Sequence, residues 1–144
     1  MDAIICDLDG TLAINDHGRD WFDCTDCDKD ALNKPVAAVV RWAEDNGYKI
    51  IFLSGREEKY FEPTQKFLNK YGFVVGPEGD ENYELIMRKT GDNRKDSIIK
   101  KELYEKYLEP MNYHVLFILD DRTQVVEMWR EMGFTVFQVA EGNF

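Results

Sequence analysis

The sequence predicts an α/β fold: a doubly wound, Rossmann-like parallel sheet with helices on both faces, a short flap and no large cap domain. Two observations carry this expectation. Short apolar runs alternate with amphipathic, helix-length segments along the whole chain, and each of the first four runs ends in polar, often Gly-containing sequence. With no internal repeat, low-complexity stretch or linker, residues 1–144 read as a single domain, a length that suits one core.

Ala3-Ile-Ile-Cys6 reads as the first buried strand. Residues 10–34, rich in Asp and poor in periodic apolar positions, read as a loop or flap. A helix follows from Pro35 to about Asn46, with Val36, Val39, Val40 and Ala43 on one face and Gly47 as its stop. Lys49 to Leu53 is the second strand, closed by Ser54-Gly55-Arg56. A helix carrying Phe61, Thr64, Phe67 and Leu68 ends near Gly72, and Glu84 to Met87 is the third strand. A charged helix spans Arg94 to Leu108, before Pro110. Val115 to Leu119 is the fourth strand, ending in Asp120-Asp121-Arg122. Thr123 caps a helix through Met132, and Thr135 to Val139 is the fifth strand.

The composition is that of a soluble globular chain: 44% hydrophobic and 32% charged. No apolar run approaches the roughly 20 residues needed to cross a bilayer, and the start reads as no secretion signal. Three cysteines, an odd and low count, point to a reducing cytoplasm. Cys24-x-x-Cys27 lacks a second Cys or His pair at zinc-finger spacing, so a metal or redox role is disfavoured.

The net charge of -10 disfavours a non-specific duplex binder, which needs many Lys and Arg contacts to phosphate. The charge is uneven. Residues 1–30 hold nine Asp against Arg19 and Lys29, whereas 86–101 hold Arg88, Lys89, Arg94, Lys95, Lys100 and Lys101 against Asp92 and Asp96. An acidic, metal-binding half facing a basic, anion-binding half suits a phosphate site; a solvated helix face is the plainer account of the basic run.

Ligands of parallel α/β sheets bind beyond the carboxyl ends of the strands. Those ends carry Asp7, Asp9, Gly10 and Thr11; Ser54, Gly55 and Arg56; Arg88; and Asp120, Asp121 and Arg122. One Asp-Leu-Asp is an ordinary turn. Two acidic clusters on two strand ends repel each other, and a hard cation relieves that; Mg²⁺ takes few carboxylates together with water and phosphate oxygens. Asp is also a competent covalent nucleophile toward phosphorus.

Asp7-Leu-Asp-Gly-Thr-Leu12, Leu53-Ser-Gly-Arg56, Lys100 and Asp120-Asp-Arg122 resemble, in order, the motifs of the haloacid dehalogenase superfamily of phosphotransferases. Met87 to Lys100, Asp120 to Arg130 and Gln138 to Phe144 are similar to the phosphatase domain of bacteriophage-type polynucleotide kinase-phosphatases. The chain departs from them in lacking a G-x-x-x-x-G-K-[ST] kinase motif and in closing on Gly142-Asn-Phe144 where the family usually has Gly-Asp-Phe.

The resemblance implies Asp7 as nucleophile and Asp9 as general acid and base, Asp9 having a raised pKa so that it is protonated in the first step. It implies phosphate contacts from Thr11, Ser54 and Gly55, charge neutralisation by Lys100, and substrate contacts from Arg56, Arg88 and Arg122. It implies Mg²⁺ held by Asp7, the Asp9 carbonyl and Asp121, with Asp120 in support. The expected substrate is a 3′-phosphorylated nucleic-acid end or nucleotide, with a separate kinase or ligase as partner in end repair. A small nucleotide or metabolite phosphatase and a non-catalytic binding module are the competing readings. Trp21, Trp42 and Trp129 are candidate base-stacking residues, of which Trp42 and Trp129, being helical, are better placed in the core. His17 and His114 receive no role.

Overall fold

The first strand, β1 (Asp2–Cys6), leads into an Asp-rich segment that contains a two-stranded antiparallel hairpin, β2 (Ala13–Ile14) with β3 (Ala31–Leu32). The chain then forms α1 (Lys34–Asp45), β4 (Lys49–Glu57), α2 (Phe61–Lys70), β5 (Tyr83–Arg88), α3 (Asp96–Leu103), β6 (His114–Asp120), α4 (Thr123–Glu131) and β7 (Val136–Gln138). This computed structural model describes residues 1–76 and 81–144. Among them, β5-β4-β1-β6-β7 form one five-stranded sheet in which every pair is parallel. Strand order reverses beside β1, so the crevice between the ends of β1 and β6 is the switch point where such sheets bind ligands.

Side chains alternate across the sheet, and both faces are covered. Ile4, Cys6, Ile50, Phe52, Phe117 and Leu119 join α1 (Val36, Ala37, Val40, Ala43) and α2 (Phe67, Leu68) in one core. Ala3, Ile5, Ile51, Leu53 and Ile118 join α4 (Val125, Val126, Met128, Trp129) in the other. This two-sided burial is why the strands read as continuous apolar runs rather than as alternating ones. None of the described helices is long and apolar enough to cross a membrane.

Several local expectations shift. Val39 is exposed on α1 and Ala37 takes its place in the core. Ser54-Gly55-Arg56 lies inside β4 rather than after it, with an irregular register against β5 between Ser54 and Glu57; such irregularities turn side chains toward a site. The charged helix starts at Asp96 and ends at Leu103. A π turn (Tyr104–Leu108) and a 3₁₀ turn (Glu109–Met111) carry it past Pro110. Thr123 is the first residue of α4, not its cap; Arg122 holds that position without a side-chain cap bond. Trp129 is core, as its helix suggests, but Trp42 is half exposed, stacked against Tyr48 and Phe117 at the edge. Cys24 and Cys27, both buried, are joined by a disulfide, a pairing that the cysteine count read for a reducing compartment did not anticipate.

Candidate active site

The loop after β1 is wound tightly. The Leu8 carbonyl accepts from both Thr11 and Ala13, and Gly10 donates to the Ala13 carbonyl. Gly10 has φ +78, and a Cβ there would run into the Asp121 carboxylate. Glycine is thus required both for the backbone conformation and for the approach of the two strand ends. The register sets Cys6 beside Leu119, which brings Asp7 level with Asp120 across the switch point.

Lys100 joins these strand ends. Its side chain is buried, with the residue 1% exposed, and Nζ lies 2.9 Å from Asp7 Oδ1, 3.0 Å from Asp120 Oδ2 and 3.7 Å from Asp96 Oδ2. Asp96 stands one turn earlier on α3, the i, i+4 spacing that aligns two side chains on one helix face. Burial opposes a charge on Lys100, but Asp120, Asp7 and Asp96 outweigh it and hold the ammonium well above its ordinary pKa. Asp96 also accepts from Arg88 Nη2 at 3.0 Å and faces Arg122 Nη1 at 3.7 Å. A Cβ on Gly55 would strike this same Asp96 carboxylate, so the Gly of β4 makes room for it.

Asp7, Asp120 and Asp121, all buried, offer oxygens that lie within 4.8 Å of one another. Burial, then the charge of Asp120, pushes the Asp7 carboxyl well above the usual carboxylate range, against the pull of Lys100. Burial likewise raises Asp121. Crowded, desolvated carboxylates of this kind fit a divalent cation, whose charge lowers the cost of ionising them. The donors differ in availability. Asp120 is committed: Oδ2 to Lys100, Oδ1 to the backbone N–H groups of Asp121 (2.9 Å) and Arg122 (3.2 Å). Asp121 Oδ1 and Asp7 Oδ2 each lie 3.2 Å from the Thr11 hydroxyl, which has a single hydrogen to share between them. Asp7 and Asp121 are therefore the carboxylates with oxygen to give, and Asp120 braces the lysine and the loop.

Asp9 lies in different company. Arg56 grips it with two bonds, Nε to Oδ2 at 2.9 Å and Nη2 to Oδ1 at 2.8 Å, and Arg19 adds Nη2 to Oδ1 at 2.8 Å. Burial favours a protonated Asp9, but the two guanidiniums prevail and its carboxyl sits below the ordinary range. The raised pKa expected for a general acid is thus not found in this arrangement, because two arginines from separate segments converge on Asp9.

Buried Asp30 holds those arginines. It accepts from Arg19 Nε (2.9 Å) and Nη2 (2.8 Å) and from Arg56 Nη2 (3.2 Å), and His17 Nε2 is 2.7 Å away. Arg56 also donates to the Thr64 hydroxyl at 3.1 Å. Arg19, Asp30, His17, Thr64 and Asp96 were all absent from the expected site. Only the proximity of Arg19 to the first motif, inside an otherwise acidic flap, offered a hint.

The expected phosphate and substrate residues are placed unevenly. Ser54 is buried, and its oxygen accepts from the Arg56 amide at 3.1 Å. Arg56 is an internal residue bound to Asp9 rather than an open substrate contact. Arg88 is turned into its own loop, donating to the carbonyls of Asp92 and Arg94 and to Asp96. Arg122 reaches the Phe144 carbonyl oxygen and lies over the Phe144 ring. The closing segment buttresses the loop after β6. Gln138 donates to the Asp121 carbonyl at 3.0 Å, and Thr123 donates to Asn143 Oδ1 at 3.1 Å. Asp at 143 would present the same acceptor, so Gly-Asn-Phe preserves this contact.

A carboxylate cluster at the switch point of a parallel sheet, braced by a buried lysine, is the arrangement expected of a phosphatase domain of the haloacid dehalogenase type. Residues 1–144 match the family described as the polynucleotide kinase PNKP phosphatase domain, and the chain belongs to it. The domain is accordingly a phosphomonoesterase. A relative described as a putative bifunctional polynucleotide kinase/RNA ligase, from Autographa californica nuclear polyhedrosis virus, is 32% identical over 139 residues, which is 95% of this chain and 19% of the relative. A chain from the structure of the Pnkp1/Rnl/Hen1 RNA repair complex is 49% identical with a TM-score of 0.89, over 99% of this chain and 43% of the other. The class C acid phosphatase from Bacillus anthracis with tungstate bound shares the fold, at 15% identity and a TM-score of 0.60, over 96% of this chain and 68% of the other. The chain thus spans less than half the length of the repair proteins it matches.

Proposed function

We propose that this domain removes the 3′-phosphate from a polynucleotide or nucleotide end, leaving a 3′-hydroxyl, with Mg²⁺ as cofactor and Asp7 as the group that is transiently phosphorylated. The observation that carries the reading is the ion pair of Asp7 with buried Lys100, beside Asp121 and within reach of Thr11. The family supplies the polynucleotide end as substrate class.

Asp7 attacks phosphorus with one carboxylate oxygen as the bond from phosphorus to the 3′ oxygen breaks. Asp9 delivers a proton to that leaving oxygen. In the second step Asp9, now a carboxylate, takes a proton from water, whose oxygen displaces Asp7 and releases inorganic phosphate. Lys100 aims Asp7, favours its ionised form against burial, and shares the charge gathering on the phosphoryl oxygens. Asp7, the Asp9 carbonyl and Asp121 would hold Mg²⁺, which when bound neutralises phosphoryl charge. Because Asp9 rests between two guanidiniums, we infer that the incoming phosphate draws one of them away and leaves Asp9 free to carry a proton. Similarity to a chain of an RNA repair complex and to a putative polynucleotide kinase/RNA ligase also supports an end-repair setting with a kinase or ligase as partner.

The test is phosphate release with Mg²⁺ from matched 3′- and 5′-phosphorylated oligonucleotides, mononucleotides and sugar phosphates. The 3′-phosphorylated strand is expected to be the preferred substrate, and Asp7→Asn to lower its turnover about 10⁴-fold or more, the scale of losing a nucleophile. Equal rates on 3′ and 5′ ends, or an active Asp7→Asn, would sink the reading.

A further inference from the structure

Trp21 and Phe22 stand out on the flap. They are 59% and 90% exposed, two adjacent aromatic rings flanked by Asp20 and Asp23 in an Asp-rich segment. Their support is fixed by local hydrogen bonds. The Phe22 amide donates to Asp20 Oδ1 at 2.9 Å, the Asp23 amide to the Asp20 carbonyl at 3.1 Å, and Thr25 closes the next turn on Asp23 through both its amide and its hydroxyl. Trp21 is also tied to the reaction centre. The Arg19 guanidinium lies 5.9 Å from its ring centroid, and the same guanidinium touches Asp9 at 2.8 Å and buried Asp30.

We propose that Trp21 and Phe22 form a stacking platform for the base of the terminal, 3′-phosphorylated nucleotide of a single strand. The inference rests on the 3′-phosphatase reading above and adds the part of the substrate that the flap recognises. In a nucleotide, the base and the 3′ oxygen sit on one sugar. With the 3′ oxygen at Asp9, the base is one sugar away; Trp21 is one guanidinium away from the same carboxylate. Charge selects the base over the backbone: Asp20 and Asp23 flank the two rings, Asp16, Asp26 and Asp28 add negative charge along the same segment, and this charge repels phosphodiesters, whereas a neutral base meets no such penalty. Every base has a π face, so the platform holds the end without reading its sequence.

The experiment compares two 3′-phosphorylated oligonucleotides, one with an intact terminal base and one with an abasic terminal nucleotide, using wild type, Trp21→Ala, Phe22→Ala and Trp21→Phe. Wild type is expected to lose roughly tenfold in kcat/KM on the abasic end, chiefly through KM, the scale of one base–aromatic stack. Trp21→Ala should lose a similar factor on the base-bearing end and little more on the abasic one, while Trp21→Phe recovers most of the loss. Losses in the alanine variants that are equal on both substrates, or absent from both, overturn the platform. Both residues are exposed, so neither substitution threatens the fold. If wild type shows no 3′ preference at all, the functional reading fails first. Binding of unphosphorylated strands, followed by tryptophan fluorescence, then decides the platform alone: a base-bearing end that binds no tighter than an abasic end, in wild type and Trp21→Ala alike, overturns it.

Discussion

At the strand-edge pocket one ammonium, Lys100, serves three carboxylates; in the flap two guanidiniums and an imidazole serve two, Asp9 and Asp30. The two regions are adjacent and built from similar residue types, yet their balance differs. In the pocket burial, together with more carboxylates than one lysine can neutralise, pushes Asp7 and Asp121 up. In the flap two guanidiniums match two acids and outweigh burial, so Asp9 is held down. A surplus of carboxylate calls for a cation, and paired guanidiniums are groups that can turn to an anion, the two things that a metal-assisted phosphatase must gather.

Breaking the pocket should have the largest effect. Lys100→Met keeps the stem and removes the charge, leaving Asp7, Asp120 and Asp96 without it. A buried ion pair broken on one side costs about 3–5 kcal/mol, and loss of an electrostatic contact to the transferring group costs about 10²–10³ in kcat. Both are expected, read by denaturant unfolding and by phosphate release. A variant of full stability and activity would show Lys100 to be a bystander among the carboxylates. Asp30→Asn makes the matching cut in the flap. It removes the charge that anchors Arg19 and Arg56 and should cost about 3 kcal/mol, the lower end for a broken buried pair. Asp9 and the Thr64 hydroxyl keep part of the Arg56 grip, so activity should fall less than in Lys100→Met. If Asp30→Asn proves the more damaging in turnover, the flap rather than the pocket is where the chemistry is most sensitive.

How far each region was legible follows from the same difference. The pocket carboxylates stand at strand ends. Short apolar runs locate those ends, and a parallel sheet brings them to one edge, so the meeting of Asp7, Asp120 and Asp121 is legible before any coordinates, whereas Ser54, expected after its strand, lies within β4. Lys100 needed the family motif, because a helical lysine is ordinarily solvated. The flap partners are set by a fold-back that no periodicity announces. Arg19 and Asp30 are eleven residues apart in an Asp-rich loop and meet only because β2 and β3 pair, while Arg56 arrives from a third segment. Asp96 is one more charge in a basic run as far as the sequence goes, since its burial depends on Gly55 leaving space beneath it.

The pocket's charge excess makes a signed pH prediction. Asp7 and Asp121 have folded pKa values above their unfolded ones, so they favour the folded state in acid, and that contribution is lost as pH rises through the folded values. Mg²⁺ needs the ionised carboxylates, so it should restore stability at neutral pH and do little in acid. At a hundredfold excess over Kd the gain is about 2.7 kcal/mol. Thermal unfolding with Mg²⁺ and with chelator, at pH 5 and at pH 8, checks this. Asp121→Asn should shrink the Mg²⁺ shift, whereas Asp30→Asn should leave it intact. A metal response that vanishes in Asp30→Asn would merge the two regions into one electrostatic unit.

The smallest effect belongs to the flap's covalent tie. Cys24 and Cys27 close a loop with a sequence separation of 3, so the chain entropy removed from the unfolded state is modest, worth about 1–2 kcal/mol. The bond lies immediately before the turn that delivers Asp30, and Cys27 itself begins that turn. Reduction should therefore lower the unfolding midpoint slightly and act on the Arg19–Asp30–Arg56 clamp more than on the strand-edge pocket. The discriminating measurement pairs a dithiol titration with Cys24→Ser/Cys27→Ser, reading oligonucleotide turnover and the Mg²⁺ stability shift together. Loss of turnover with an unchanged Mg²⁺ shift places the tie in the flap alone. Loss of both would mean that the flap holds the first motif in shape, with Asn33 as the link, since its side chain donates to the Thr11 carbonyl at 2.8 Å from just beyond β3.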